Sequence, residues 1–268
     1  MLYYYLFFGL FGLIINKINI AFDNGANIVG SKTTPKILEP YLNFLNISKT
    51  HNIDTNNFLY NILEDGYNAV FSTMKEGKFP LTIGGDHTVA ISSIFAVNDF
   101  CNLCNKKLGI IWCDAHADFN TMETSLTKNI HGMPIAVLCG HTLPELKVGN
   151  ILLPNQFAYY GVRDIDSLEF MRIQKYNMRI LEGDRDIDKW LSNFDYIHIS
   201  FDIDCLDPSI TKCVNTPVDN GITSNEINNL FNKVKNSKKL CSMDIVEYNS
   251  DKDDNHNIII DIIKNLFI

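Results

Sequence analysis

The sequence predicts a single α/β domain with helices on both faces of a mostly parallel central sheet, a three-layer α/β/α architecture. Short apolar runs alternate with longer amphipathic segments after residue 16, the pattern of strands joined by crossover helices. The run LGIIWCD (108–114) is apolar almost throughout, as expected of a strand covered on both faces. No linker divides the chain, so we expect residues 17–268 to form one domain.

The elements of the first half follow from apolar spacing and from glycines. KINIAF (17–22) is typical of a strand, and a Gly/Asn/Ser-rich loop (23–34) follows it. Residues 56–76 carry apolar side chains at helical spacing and end before Gly77, which predicts a helix. FPLTIGG (79–85) predicts a strand that runs into a glycine turn.

The second half continues the alternation, while Asn-rich stretches at 43–57 and 249–257 predict surface loops. The remaining strands are predicted at 156–164, 178–181, 195–202 and 239–248, and the helices at 167–177, 185–193, 224–236 and from residue 255. Strands that alternate with helices in this way favour parallel pairing.

The overall composition is that of a globular protein with an acidic balance. Of 268 residues, 46% are hydrophobic and 20% charged, and the net charge is -8. Such a chain is not expected to wrap nucleic acid. Its seven cysteines form no even framework and several lie in apolar runs, which favours reduced thiols and a cytoplasmic location.

Residues 1–16 form an apolar N-terminal extension. The run LYYYLFFGLFGLII (2–15) is too short for a usual membrane span. It also lacks the basic start and the small-residue cleavage site of a signal peptide. We expect it to pack on the body of the protein, with secretion or membrane association as the open alternative.

Acidic and imidazole side chains follow three of the predicted strands. In α/β sheets, functional groups gather just beyond the carboxyl ends of the strands. The segments GGDH, CDAHAD and FDID each end a strand and supply His87, Asp114, His116, Asp118, Asp202 and Asp204. Two cations that share carboxylates would use all six, and an oxygen-rich shell with some imidazole favours manganese-like ions. Such a pair activates water, so the pattern indicates hydrolysis, although a single DxD pair more often caps a turn.

Five segments resemble the signatures of the arginase/agmatinase ureohydrolase family, in the family's order. They are GGDHT (84–88), DAHAD (114–118), HGMP (131–134), SFDIDCLDPS (200–209) and DIVE (244–247). The resemblance implies the family's α/β fold and its pair of Mn²⁺ ions. His87, Asp114, Asp118 and Asp202 would hold one ion, and His116, Asp114, Asp202 and Asp204 the other. A metal-bridging hydroxide would then attack the guanidinium carbon of the substrate.

The same resemblance assigns the catalytic and substrate-binding side chains. His131 matches the proton shuttle to the leaving amine, and Glu247 matches the carboxylate that pairs with the guanidinium group. Asp118 belongs to the catalytic set through its metal. The remaining substrate-binding positions are Thr216 in the guanidinium pocket, Asn120, Thr127 and Asn129 for an α-carboxylate, and Asp166 and Glu169 for an α-ammonium.

The resemblance in the two segments that contain Asn120 to Asn129 and Asp166 to Glu169 favours L-arginine as the substrate, cleaved to L-ornithine and urea. Agmatine or another guanidino compound is the alternative substrate, and a catalytically silent binding member of the fold is a remote one. The departures from arginases are Lys128 in place of a glycine, Asn215 before Thr216, and Asn225 where an arginine usually accompanies Glu226. The resemblance also implies a homo-oligomer, a trimer in the arginases. Asp166 would on its own serve as a helix N-cap.

Overall fold

A computed structural model describes residues 13–252 and 256–268. Its centre is one eight-stranded sheet in the order β2-β1-β3-β8-β7-β4-β5-β6, and every pair of neighbouring strands is parallel. The strands are β1 (Ile15–Ile20), β2 (Ile47–Asn52), β3 (Phe79–Gly84), β4 (Leu108–Cys113), β5 (Phe157–Tyr160), β6 (Arg179–Ile180), β7 (Tyr196–Asp202) and β8 (Leu240–Val246).

Helices cover both faces of this sheet. They are α1 (Thr34–Leu38), α2 (Leu59–Lys75), α3 (Ala90–Leu103), α4 (Pro134–Leu138), α5 (Ser167–Lys175), α6 (Gly183–Leu191), α7 (Ser224–Ser237) and α8 (Asn257–Phe267). Two separate apolar clusters fill the spaces between sheet and helices, one with α7 and α8 and the other with α2 and α3. Successive side chains of β4 alternate between them: Ile110 and Trp112 lie in one cluster, Ile111 and Cys113 in the other. The predicted three-layer fold is confirmed.

One predicted loop is wrong. The Asn-rich stretch 43–57 contains β2, which pairs in parallel with β1 from Ile47 to Asn52. It is an edge strand with mostly exposed side chains, so it lacks the apolar run by which the other strands are recognised. Its polar sequence, ISKTHN, suits a strand with one neighbour and much solvent.

The first strand begins two residues earlier than predicted. β1 starts at Ile15, so residues 15 and 16 of the predicted extension belong to the sheet. Residues 1–12, the larger part of that extension, lie outside the described residues, as do residues 253–255 of the predicted 249–257 loop. Across the described ranges, none of the helices combines the length and apolar character needed to span a bilayer.

The remaining boundaries agree with prediction to within a few residues. A long helix that was not predicted, α3, follows the GGDH segment, and it is buried on nearly all sides. All eight strands run the same way, so their carboxyl ends meet at one edge of the sheet. β3, β8, β7, β4 and β5 are consecutive neighbours, which brings the segments that follow them together.

Candidate functional site

The six predicted metal ligands converge at the carboxyl edge of the sheet. His87 lies in the turn after β3, Asp202 is the last residue of β7 and Asp204 follows in a short helical turn. Asp114, His116 and Asp118 follow β4, the neighbour of β7. All are buried except His116, which is partly exposed.

His87 stands at the centre of the first group of ligands. Its Nδ1 lies 2.9 Å from Asp114 Oδ2, 3.1 Å from Asp202 Oδ2 and 3.2 Å from Asp118 Oδ2. Its other ring nitrogen, Nε2, is 2.9 Å from the Ser200 hydroxyl, and its ring stacks on Trp112 at 4.0 Å. In the tautomer with the proton on Nε2, His87 donates to Ser200 and its Nδ1 lone pair faces the carboxylates.

A second group shares Asp114 with the first. Nδ1 of His116 lies 3.1 Å from Asp204 Oδ2 and 3.4 Å from Asp114 Oδ1. The two oxygens of Asp114 therefore face different imidazoles, the arrangement of a bridging carboxylate. Both His87–Asp114–Asp118 and Asp114–His116–Asp204 have one ligand atom from each residue within 4.8 Å of the others.

The donor set fits divalent cations. Nδ1 of His87 is buried and makes no hydrogen bond within the described residues, although three carboxylate oxygens surround it. Burial and the adjacent Asp114 raise the pKa of Asp118 to about 7. Burial, together with Asp204 and Asp114, raises the pKa of Asp202 well above its usual value. Four buried carboxylates cannot all be ionised at neutral pH unless a cation compensates them, and oxygen-rich shells with imidazole suit manganese.

A cavity of about 490 Å³ opens onto the metal ligands. Every catalytic, substrate-binding and metal-binding position predicted from the sequence lines it: His87, Asp114, His116, Asp118, Asn120, Thr127, Asn129, His131, Asp166, Glu169, Asp202, Asp204, Thr216 and Glu247. They come from six separate segments of the chain, so the fold brings together residues that lie up to 160 positions apart.

Glu247 and His131 form a contact on one wall of this cavity. The Glu247 carboxylate lies 3.1 Å from His131 Nδ1 and accepts a hydrogen bond of 3.0 Å from the backbone N–H of His87. Burial lowers the pKa of His131, but the adjacent Glu247 more than offsets it and raises the pKa to about 9. Glu247 has a φ of 61°, an unusual backbone conformation of the kind found where function fixes a side chain.

The cavity lining also includes the two residues predicted to receive an ammonium group, Asp166 and Glu169. Asp166 is the N-cap of α5, accepting from the N–H groups of Leu168 and Glu169, and its second oxygen accepts from Asn120 at 2.7 Å. Asp166 therefore caps α5, as expected of an aspartate at this position, and it also lines the cavity. Glu169 is buried and accepts from the Phe119 N–H at 2.7 Å. Burial raises the pKa of Glu169 to about 8.

The loop between β4 and α4 carries the predicted carboxylate-binding residues. The Thr127 hydroxyl accepts from the Asn129 N–H at 3.3 Å. Lys128, between them, has a φ of 62°. This is the left-handed conformation that glycine adopts most easily, and the family resemblance places a glycine at this position. Thr216, which also lines the cavity, donates from its hydroxyl to Asp204 at 2.9 Å.

Several residues of the cavity were not predicted. Ser125 and Leu126 belong to the same loop, and Leu126 is 92% exposed at the rim. Ile28, in the loop after β1, accepts a hydrogen bond through its carbonyl from Asn215. Apolar and small polar residues in loops carry no chemical signature, so only the three-dimensional arrangement identifies them.

Comparison with known proteins gives consistent matches. Residues 26–267 match the model of the Arginase family. An arginase of Staphylococcus aureus (strain MRSA252) is 36% identical over 196 residues, which span 67% of this chain and 63% of that relative's length. The aligned part is thus less than two thirds of the relative.

Solved structures extend the match over nearly the whole chain. An arginase of Entamoeba histolytica, solved in complex with L-ornithine, superimposes with a TM-score of 0.87 at 26% identity, covering 98% of this chain and 99% of its own. An arginase of Bacillus subtilis superimposes with a TM-score of 0.86 at 27% identity, covering 95% and 98%. With the family model matched over most of the sequence, the chain belongs to the arginase family.

Proposed function

We propose that the protein hydrolyses the guanidinium group of L-arginine to give L-ornithine and urea, with two Mn²⁺ ions as cofactor. One observation carries the proposal. A single cavity contains the predicted metal ligands, a Glu–His pair and a loop with the polar groups predicted to bind an α-carboxylate.

The metal-binding part would use the six side chains of the two clusters. His87, Asp114, Asp118 and Asp202 would hold one ion, and His116, Asp114, Asp202 and Asp204 the other. When bound, the two ions would lower the pKa of a shared water and supply the nucleophile. Ser200 and Thr216 would keep His87 and Asp204 in the orientation that binding needs.

Glu247 and His131 would handle the guanidinium group and the leaving amine. A carboxylate suits a planar guanidinium because two parallel hydrogen bonds can form. Glu247 is held by the His87 N–H, so its position is linked to that of the metal cluster. His131, in contact with Glu247, would deliver a proton to the departing nitrogen.

The rest of the cavity would recognise the α-substituents of arginine. Asn129 and Thr127 would donate to the α-carboxylate, while Asp166 and Glu169 would receive the α-ammonium group. The arginase of E. histolytica, similar to this chain in fold, was solved in complex with L-ornithine. Agmatine lacks the α-carboxylate, so it would leave the Asn129 side of the cavity without a partner.

The test is urea release from L-arginine by Mn²⁺-loaded protein. We expect release that stops on chelation and in Asp114→Ala, because Asp114 lies in both clusters. Absence of urea from protein that has been shown to bind manganese would contradict the proposal.

The choice of substrate has its own experiment. Asn129→Ala should lower kcat/KM for L-arginine by about 10- to 100-fold, the loss of one or two hydrogen bonds to a charged group. It should leave the much weaker turnover of agmatine unchanged. If the unmodified protein cleaves agmatine faster than L-arginine, agmatine and not L-arginine is the substrate.

We also propose a homo-oligomer, as the family resemblance implies. Glu226 lies at the start of α7, where its carboxylate accepts hydrogen bonds from the backbone and hydroxyl of Thr223. Asn225, beside it, replaces the arginine of arginase trimers, so any trimer would need other contacts here. Sedimentation of the purified protein tests this directly, and a monomer would contradict it.

A further inference from the structure

The amino edge of the sheet, opposite the cavity, is unusually basic. Four connections enter the central strands β3, β4, β7 and β8 at this edge: residues 75–78, 103–107, 192–195 and 235–239. We call them the lysine face. It contains seven lysines and two acidic residues, a net charge of +5 in a chain of net charge -8. The rest of the protein is correspondingly more acidic.

The two acidic residues are already paired within the lysine face. Glu76 lies 2.9 Å from Lys78, and Asp195 lies 3.7 Å from Lys106. No carboxylate of the described residues is within ion-pair distance of Lys107 or Lys238, and both are exposed. These ammonium groups are therefore available to anions in solution or on a surface.

Large apolar side chains are exposed at the same edge. Leu103, 59% exposed, lies within the lysine face, and Leu153, 63% exposed, lines a groove together with Lys106 and Lys107. Ile14 is 46% exposed, and its carbonyl accepts from the N–H of Phe79, the first residue of β3. Exposed apolar residues among cations are typical of proteins that bind at a lipid–water interface.

The sequence that leads into this edge is also apolar. β1 begins at Ile15, so the chain enters the sheet at its amino edge. Residues 1–12, MLYYYLFFGLFG, contain three leucines, three tyrosines and three phenylalanines, and the first charged side chain of the sequence is Lys17. Tyrosine favours the membrane interface, where its ring contacts apolar lipid and its hydroxyl contacts water.

We propose that the lysine face docks the protein on the surface of a membrane that contains anionic lipids. The lysines would contact the headgroups, and the exposed apolar side chains of the same edge would insert between them. A cluster of cations and a set of exposed apolar side chains together give the two signals that stable membrane attachment needs. The cavity opens at the opposite edge, so docking would leave it open to the solvent.

A purely local role for these lysines predicts something different. Lys75 and Lys235 lie in the last turns of α2 and α7, where cations stabilise the helix end, and Lys239 donates to the carbonyls of Leu191 and Phe194. The ammonium groups of Lys107 and Lys238 have no such hydrogen bond in the described chain, and asparagine also suits the C-cap of α7 that Lys238 forms. Removing them should therefore affect membrane binding without affecting the fold.

The experiment is sedimentation of the full chain with phosphatidylcholine vesicles that contain phosphatidylserine. We expect binding that weakens as salt is added and that is absent with phosphatidylcholine alone. Lys107→Gln with Lys238→Asn should weaken the partition coefficient by about 25-fold, about fivefold for each lysine. Asparagine suits position 238 because its φ is 57°.

The matched control is Lys212→Gln with Lys252→Asn. These exposed lysines lie beyond the carboxyl ends of β7 and β8, so the control makes the same change in net charge at the opposite edge. An equal loss of binding in the control would overturn the proposal, as would equal binding to neutral vesicles. Tighter binding to a DNA oligonucleotide than to anionic vesicles would also overturn it. Leu103→Ser with Leu153→Ser should weaken binding at high salt most, where the apolar contribution dominates.

Discussion

At the scale of single residues, the orientation of His87 decides how the candidate site binds metal. With the proton on Nε2, the ring donates a hydrogen bond to the Ser200 hydroxyl, and Trp112 stacks on the ring. The other nitrogen is thereby directed at three carboxylates. Hydrogen-bond partners of this kind typically change metal affinity by 10- to 100-fold.

We therefore expect Ser200→Ala to weaken Mn²⁺ binding by about 10- to 100-fold, measured by titration calorimetry. Its matched control is Ser242→Ala, which removes a similar buried hydrogen bond from His198, a histidine of the core. Both variants should lose about 1 kcal/mol of unfolding free energy. Equal metal affinities in the two variants would show that Ser200 does not orient a ligand.

Residue types predicted most of the site, but backbone conformations could not be predicted in the same way. Asp118 and Glu247 have φ values of 49° and 61°, and nothing in their chemistry indicates a left-handed backbone. Lys128 is different, because the family resemblance places a glycine there and the structure keeps the conformation that glycine favours.

At the scale of elements, close contacts between segments fix the positions of the ligands. Gly85 follows β3 directly, two residues before His87, and a Cβ added there would lie 1.9 Å from the carbonyl oxygen of Phe22. Its own carbonyl accepts from the Glu247 N–H at 2.7 Å. One glycine thus joins the loop after β1 to the residues that follow β3 and β8.

Gly85→Ala should lower the free energy of unfolding by about 3 kcal/mol, because rigid backbone opposes the added methyl group. Gly77→Ala is the control, because there the added methyl group meets only the cost of a positive φ and no steric clash. Its φ is 71° but nothing lies within 4 Å of the added atom, so it should cost only about 1 kcal/mol. Denaturant titration measures both, and similar losses would contradict the steric explanation.

Arg163 connects three further segments. Its guanidinium group donates to the carbonyls of Gly161 after β5, Asp204 after β7 and Val218 in the following loop, at 2.8, 2.9 and 2.8 Å. Arg163→Lys cannot reproduce this planar set of donors, so we expect a loss of about 2 kcal/mol in unfolding free energy. Arg185→Lys, at an exposed position, should change it by less than about 0.5 kcal/mol. Similar values would show that the carbonyl contacts contribute little.

The strands with buried apolar runs could be predicted from the sequence, whereas the exposed edge strand β2 could not. β4 and β7 are buried along nearly their whole length and their boundaries agree with prediction to within one residue. β2 has the polar sequence ISKTHN and looks like a loop until its partner is known. Its backbone hydrogen bonds with β1, and not a pattern of apolar side chains, make it a strand.

At the scale of the whole molecule, the parallel sheet explains why residues predicted from separate motifs line one cavity. Once the strands are parallel, every segment after a strand lies at one edge, and short motifs far apart in sequence must meet there. The order of the strands was not predictable from the alternation of elements. Nor was the contact of Ile28 with Asn215, because it joins two loops without a pattern.

Metal binding should contribute to the stability of the whole protein. A ligand present at 100 times its Kd stabilises by about 2.7 kcal/mol per site. Two manganese sites would thus add about 5 kcal/mol, which chelation would remove and thermal unfolding would detect. In Asp202→Asn the melting temperature should respond less to manganese, because Asp202 is within reach of His87 in the buried cluster. An unfolding transition that is indifferent to manganese would contradict this prediction.

The most direct measurement is the number of divalent ions that each chain binds. The protein is loaded with manganese, freed of excess metal and analysed by inductively coupled plasma mass spectrometry. It should contain two ions per chain. The value should fall in Asp114→Ala, because Asp114 faces both His87 and His116. A count of one or none in the folded, unmodified protein would contradict the account.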